Sequence, residues 1–476
     1  MQSEPSNAAM SARALALCHE KARRDPAYFN EMVLRDEMTG KRVVNAPYHT
    51  AMQRQCTENR FSIICGHVES AKAVPLDSEV PTPSGWRTMG DLQVGDTVFD
   101  RHGRPCKVTL CSPVYHGHEV HRVVFSDGCA EDADGGHLWL AASMDDRRGW
   151  TGDKWRVVTT HTIRSSMRHG VQANWVIPVL SSPVEYPDAD LPVHPYVLGA
   201  WLGDGSRNSS DITSHVDDRA IIDRCITLEG GRWTNERRDG NVITVRVGAM
   251  AYPGSRGGLR GRLNGLGVLN DKFVPDMYLT SSVAQRIDLM KGLMDTDGTC
   301  TDDGKDRVSF TSTALRLAET TAELARSLGN KVTIKEGTAK IYGRIIGSVW
   351  RVSWTATSQV FGLRRKAARL RLGGRTLMLT HKTIRSVTPV PSVPVKCIAV
   401  DSDDRSYLLG RAYTVTHNTQ QIAIGRALWE LGKNPSLRVA VLAEAESKQS
   451  RKTIMSMERY IEQSEDLHRI WPKLRP

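Results

Sequence analysis

Gly66-His67-Val68-Glu69-Ser70-Ala71-Lys72 is followed not by Ser or Thr but by Ala73, and the hydroxyl residue that would complete this stretch stands at Thr419. The segment matches G-x-x-x-x-G-K-[ST] with Ala71 at the second glycine, and it follows the apolar run Phe61-Ser62-Ile63-Ile64-Cys65, which reads as a buried strand. Joining Lys72 to Thr419 restores strand, GHVESAKT loop and the amphipathic helix TQQIAIGRALWEL. That order is what phosphate binding requires. Backbone N–H groups and a helix N-terminus cradle the phosphates, a Lys reaches the terminal ones, and a Thr hydroxyl binds Mg²⁺. Gly66, Lys72 and Thr419 are therefore the expected ATP/Mg²⁺-binding positions of an α/β unit split in two by a foreign segment.

The rest of the 476-residue chain agrees with several domains rather than one. Lys and Arg total 64 against 53 Asp and Glu, a net charge of +11 that favours polyanionic partners such as DNA. Nine cysteines without a C-x-x-C pair argue against a disulfide framework or zinc ribbon and for a reduced cytoplasmic chain in a bacterial or phage-infected cell. No apolar run reaches the roughly 18 residues of a membrane span, so no membrane partner is expected. From Ala73 the texture changes to short Val- and Thr-rich pieces cut by Gly, Pro and Asp, the pattern of β-hairpins. Between about 190 and 375 helical stretches (SVAQRIDLMKGLMD, TALRLAETTAELARSLG) alternate with strand-like GNVITVRVGA and SVWRVSWTA. Short β segments return at VPVKCIAVD and AYTVTHN, and LRVAVLAEA reads as a buried strand near the end.

The downstream junction, His417-Asn418-Thr419, carries its own chemistry. A peptide bond has no good leaving group, so excision needs each junction converted to an ester or cyclised. Asn418 can cyclise on its own carbonyl, Thr419 can receive an acyl chain, and His417 can act as general acid or base. The segment resembles inteins at both ends: AVPLDSEVPTPSGWRTMGDLQVGDTVFD at the start, ADGGHLWL within, and VKCIAVDSDDRSYLLGRAYTVTHN at the close. Most inteins begin with Cys or Ser, whereas Ala73 cannot be a nucleophile. The resemblance therefore points to class 3 inteins, whose tryptophan, cysteine and threonine set matches Trp139, Cys397 and Thr416. It implies that Cys397 attacks the Lys72 carbonyl, that the acyl group moves to Thr419, and that His137 destabilises the upstream amide. Asp134 stands where the family usually has Thr, which leaves open what orients His137. Splicing of this kind needs no cofactor.

Two further stretches, Tyr196-Val-Leu-Gly-Ala-Trp-Leu-Gly-Asp-Gly205 and Met290-Lys-Gly-Leu-Met-Asp-Thr-Asp-Gly298, resemble the LAGLIDADG motif of homing endonucleases. The resemblance implies two helices packed through Gly199 and Gly292, Mg²⁺ at Asp204 and Asp297, and Lys272 of NDKFVPD as the catalytic lysine. It also implies a monomeric nuclease reading a long double-stranded DNA site. Leu202 stands where the second copy has Asp295, and RRKAARLRLGGR (364–375) is either a DNA-tracking run or a solvated helix face. The rejoined flanks, with IWPKLRP at the end, resemble the start of the ATPase domain of phage terminase large subunits over about 130 residues, with the phage packaging machinery as the implied partner.

The expected architecture is thus multidomain. A flank spans 1–72, an all-β horseshoe Hint splicing domain is formed by 73–188 with 381–418, an α+β LAGLIDADG unit spans 189–380, and the second half of a split α/β P-loop unit spans 419–476. Two alternatives stand beside it: a P-loop ATPase with an inert, non-splicing insertion, and splicing that starts by direct Thr419 attack on the Lys72 carbonyl without Cys397.

Overall fold

The computed structural model describes residues 12–34, 73–148, 155–231, 233–248, 258–341, 344–373, 379–417, 428, 431, 433–434 and 448–474. The expected phosphate loop at Gly66–Lys72, the strands at 61–65 and 437–445, and the junction residues Asn418 and Thr419 lie outside the described residues.

Short strands separated by turn residues build a β unit from two distant parts of the chain. One sheet runs Val176–Pro178, His381–Val390, Val120–Phe125, Ala130–Asp134; a second runs Ser406–Leu409, Thr414–His417, Leu138–Ala141, Arg156–Thr159; a third joins Ile398–Val400, Pro105–Cys111 and Thr97–Phe99. Every one of these sheets pairs strands more than two hundred residues apart in sequence. Their shared core includes Val80, Val98, Val123, Phe125, Trp139, Ile177, Ile384, Ile398 and Leu409. Removing these apolar side chains from water is what holds the two chain parts together, at about 1.5–3 kcal/mol per large side chain.

A separate core gathers residues from Val193 to Leu363. Its centre is the pair of helices Pro195–Asp204 and Val283–Thr296. The first begins with Pro at its start and a His194 side-chain cap; the second has a Ser282/Gln285 capping box, each side chain accepting the other residue's backbone N–H. These helices touch backbone to backbone. A Cβ on Gly199 would lie 2.3 Å from the Leu289 carbonyl oxygen, and one on Gly292 would lie 2.3 Å from that of Tyr196. A sheet flanks the pair on each side: Asp211–His215, Val242–Val247, Trp233–Asp239 in one, and Gly298–Cys300, Arg307–Ser312, Arg344–Thr355, Thr333–Ile341 in the other. The two halves of this unit therefore repeat one another about the helix pair.

The ends of the chain meet. Helices Ala12–Arg24 and Pro26–Val33 share a core with Leu428, Met457, Leu467 and Ile470, and Arg23 Nε donates to the Ile470 carbonyl at 2.8 Å. Among the described residues no helix is long and apolar enough to cross a membrane.

Candidate functional sites: the junction face and the twin-helix acid pair

Strand Val74–Pro75 pairs antiparallel with Val395–Lys396, with Val74 opposite Lys396. Extending that register by one residue sets Ala73 against Cys397. Both are fully buried and share a small apolar cluster with Val120 and Val395. Ser112 clamps the cysteine backbone from both sides: its Oγ accepts from Cys397 N at 3.0 Å, and its N–H donates to the Cys397 carbonyl at 2.9 Å. The first residue of the segment and the thiol are thus brought together although 324 residues separate them.

On the other side of Ala73 stands the turn Asp134–His137. Asp134 N donates to the Ala73 carbonyl at 3.0 Å, and His137 N donates to the Asp134 carbonyl at 2.9 Å. The His137 ring, fully buried, meets the Thr416 hydroxyl through Nε2 at 2.5 Å and packs edge-on against Trp139, centroids 5.0 Å apart. Trp139 is fixed by its Nε1–H donating to Thr160 Oγ1 at 2.9 Å, while Thr160 Oγ1 reaches back to the His137 carbonyl at 3.3 Å. Trp139 is a wall of the His137 pocket and belongs to the main β core rather than to the cluster of Cys397. The Asp134 carboxylate accepts from Gly136 N at 2.6 Å and pairs with His118 Nδ1 at 2.6 Å, so it braces the turn, and the Thr416 hydroxyl is the group that meets the His137 ring.

His417 completes the face. It pairs with Leu138 on one side and Ser406 on the other and is 2 % exposed, so the strand Thr414–His417 lies against the strand that bears Trp139. Burial works to raise the nearby Asp404 carboxyl, yet it stays below its ordinary range because the Ser406 hydroxyl and Arg101 favour its charged form, and His417 adds to this. Ala73 is therefore flanked by Cys397 and by the turn that leads to His137, whose ring meets Thr416 and Trp139, while His417 lies buried in the adjoining strand position, where the two chain parts join. Lys72, Asn418 and Thr419, the groups that would react with them, lie outside the described residues. Ser112 and Thr160 had no motif to announce them; only the pairing of strands reveals them.

The second site lies at the C-terminal ends of the two central helices. A Cβ on Gly203 would come within 3.5 Å of Asp297 Oδ2, which shows how closely the second helix's acid approaches the first helix's end. Burial, joined by repulsion from Asp297, pushes Asp204 up to about 6; burial raises Asp297 as well, against the attraction of Lys272 and Lys366. Two half-buried carboxylates that each resist ionisation are a donor set that a divalent cation would relieve.

Lys272 Nζ donates to the carbonyls of Trp201, Gly203 and Gly205 at 3.0, 3.1 and 2.7 Å, capping the first helix. Lys366 does the same for the second, donating to Met294, Asp295, Thr296 and Gly298 at 3.0, 2.6, 3.0 and 2.8 Å. Burial brings Lys272 down to about 8 and lowers Lys366 too. The expected site held one lysine, and the structure holds two. Lys366 was visible in the repeat spacing: it stands 69 residues beyond Asp297 as Lys272 stands 68 beyond Asp204. In the sequence it stands within the basic run 364–375. Within that run Lys366 is buried and Arg365 pairs with Asp218, so neither serves as a freely solvated charge. Asp295, unmatched by Leu202, is likewise structural: it accepts from Gly362 N and Leu363 N at 2.9 Å each and from the Tyr196 hydroxyl at 2.8 Å, which tethers the segment that carries Lys366.

Residues 284–355 match the family model of the LAGLIDADG-like domain. Among curated proteins, the chain is 33% identical over 377 residues to a replicative DNA helicase DnaB of Mycobacterium intracellulare, covering 75% of this chain and 60% of that protein. A DnaB of Mycobacterium leprae (strain TN) is 36% identical over 77 residues, 16% of this chain and 13% of that protein. The chain thus spans about three fifths or less of the curated relatives it matches. Solved structures with detectable likeness include the MchDnaB-1 intein (15% identity, 73% of this chain and 100% of that one, TM-score 0.25) and the Msm DnaB1 intein splicing domain bound with zinc (14%, 73% and 100%, TM-score 0.25). The expectation that the flanks derive from a phage terminase is overturned by these relatives, which are replicative helicases; the phage packaging machinery falls with it as a partner.

Proposed function

We propose that this chain is a DnaB-like, intein-bearing precursor in which residues 73–418 excise themselves while Lys72 is joined to Thr419. The observation that carries this reading is that Ala73 lies between Cys397 and the turn bearing His137, whose ring meets Thr416, all buried and drawn from positions up to 343 residues apart. In the proposed sequence the Cys397 thiolate attacks the Lys72 carbonyl, forming a thioester, and the Ala73 amine leaves with a proton supplied through His137. The Thr419 hydroxyl then attacks the thioester, forming an ester and returning the thiol. Asn418 side-chain nitrogen attacks its own carbonyl, releasing the Thr419 amine and leaving a succinimide, with His417 handling the proton. That amine finally attacks the ester, and the peptide bond between Lys72 and Thr419 forms. Intramolecular placement supplies effective concentrations of about 10⁵–10⁸ M, which is why no cofactor is invoked. Joining restores the GHVESAKT loop and with it ATP/Mg²⁺ binding at Gly66, Lys72 and Thr419.

Mass analysis of the expressed protein tests this reading. A ligated product of about 130 flanking residues beside free 73–418 supports it, whereas full-length chain alone sinks it and favours an inert insertion. With Asn418→Ala, a thiol reagent should release the N-terminal flank, and release that disappears with Cys397→Ala favours the branched thioester; no release from Asn418→Ala favours direct Thr419 attack.

We propose further that the LAGLIDADG-like unit is a double-strand DNA endonuclease. Asp204 and Asp297 would hold Mg²⁺, which supplies charge neutralisation for phosphodiester hydrolysis. Lys272 and Lys366 would fix the ends of the two helices that present these acids. The expected substrate is the uninterrupted gene around the codons for Lys72 and Thr419. Cleavage that survives both Asp204→Asn and Asp297→Asn refutes the assignment.

A further inference from the structure

A cluster outside both sites lies on the far side of the Asp134–His137 turn. A carboxylate oxygen of Glu119 and one ring nitrogen each of His121 and His161 all fall within 4.8 Å of one another, and His161 Nε2 is 3.9 Å from Glu119 Oε2. Neither the splicing chemistry nor the nuclease uses these residues. They are held in place by the backbone: Gly135 N donates to the Glu119 carbonyl at 2.9 Å, and His161 N donates to the Gly135 carbonyl at 2.8 Å. The His161 ring covers Gly135 so closely that a Cβ there would lie 2.2 Å from Nε2. Glu119 and His161 are therefore held by backbone hydrogen bonds to the same residue, Gly135.

His121 supplies a second, independent sign. It is 1 % exposed, and its Nδ1 has no hydrogen-bond partner, an unfavourable state for a buried polar atom. Its Nε2 accepts from Arg164 Nη1 at 3.0 Å, so a cation already sits against this imidazole. Arg164 is exposed and can swing into solvent. A cavity of about 390 Å³ opens beside the cluster, lined by Glu119, His121 and Arg164 together with His118 and Val390.

We propose that Glu119, His121 and His161 form a site for a borderline-soft divalent transition metal of the zinc type, with water from the cavity in the fourth position. Two imidazoles and one carboxylate are a donor set that suits zinc-class ions, whereas Mg²⁺ demands near-octahedral oxygen ligation. The ligand atoms need only a modest contraction to reach metal–ligand bonds of about 2.0–2.2 Å, and the two exposed ligands can provide it. This claim stands independently of splicing, although the site abuts the turn that carries His137.

The test is a titration of the full chain with Co²⁺, followed by visible absorption, in the parent and in H161Q and E119Q. Both variants alter exposed side chains, so folding should survive, which circular dichroism checks. One saturable Co²⁺ should give a d–d spectrum without a thiolate charge-transfer band, and each variant, which removes a direct ligand, should weaken it by about 100-fold, the top of the range for changes that only touch a ligand's support. Weakening of less than tenfold in both variants, or no saturable binding, overturns the proposal. So does a spectrum that vanishes in Cys397→Ala, because it would place the metal on the splicing thiol.

Discussion

Gly292→Ala is the substitution whose consequence the structure defines most sharply. The added Cβ would sit 2.3 Å from the Tyr196 carbonyl oxygen and 2.6 Å from Ala200 N, both backbone atoms of the facing helix. An ordinary carbon–oxygen contact needs about 3.3 Å, so the helices must separate by roughly 1 Å. Overpacking against immovable backbone costs about 3 kcal/mol at the top of its usual range, and better helix propensity returns about 1 kcal/mol. A net loss of about 2 kcal/mol in a unit of roughly 190 residues lowers its melting temperature by about 4–8 °C. The same 1 Å displacement moves Asp297 relative to Asp204, and misplacement on that scale lowers turnover by about 100-fold. Thermal unfolding monitored in the LAGLIDADG-like unit, together with DNA cleavage, measures both effects. Gly261→Ala is the matched control, since a Cβ there meets nothing within 4 Å. If Gly292→Ala melts no lower than Gly261→Ala and cleaves DNA normally, the close-packed helix pair is not what positions the acids.

Other outcomes follow from the same geometry. Asp204 rises to about 6 from an ordinary 3.8, chiefly through burial. Between about 4 and 6 the folded chain keeps a proton that the unfolded chain has released. The metal-free unit should therefore lose stability as pH rises through that window, and urea midpoints at its two ends should show a smaller loss in Asp204→Asn. Lys366→Met removes the only described cation capping the second helix and should reduce cleavage as severely as Lys272→Met; a variant that cleaves at the parent rate refutes the twofold role. Ser112→Ala deletes a hydroxyl that holds Cys397 N and should slow release of the N-terminal flank by about tenfold, the worth of one hydrogen bond, with thiol-reagent titration of unfolded protein unchanged. Arg411 joins Glu79 of the β unit to Asp276 and Glu323 of the nuclease unit, so Arg411→Ala should speed limited proteolysis between the two units without changing the secondary-structure content.

Much of this was legible in the chain itself. The apolar periodicity of SVAQRIDLMKGLMD and its Ser282/Gln285 cap make a helix wherever it is placed, and Val/Thr pieces between Gly and Pro make hairpins, because these are local preferences. The repeated Gly199/Asp204 and Gly292/Asp297 pattern likewise announced a paired-helix unit, which the LAGLIDADG-like match over residues 284–355 supports. The flanks resemble phage terminases in sequence whereas the curated relatives are replicative helicases, since a short phosphate-loop pattern recurs in many ATPases and carries little lineage information.

What local pattern could not say is which groups meet. The sequence leaves open what orients His137; in the fold its ring meets Thr416, because strand Thr414–His417 pairs beside Leu138–Ala141 and brings a hydroxyl from 279 residues away. Lys366 read as one charge in a basic run until folding buried it under the second helix. Residue types and periodicity determined the elements and the kinds of chemistry available. Strand register and burial, which depend on contacts between distant parts of the chain, decided which side chain faces which, and therefore where Cys397, the two lysines and the Glu119–His121–His161 cluster can act.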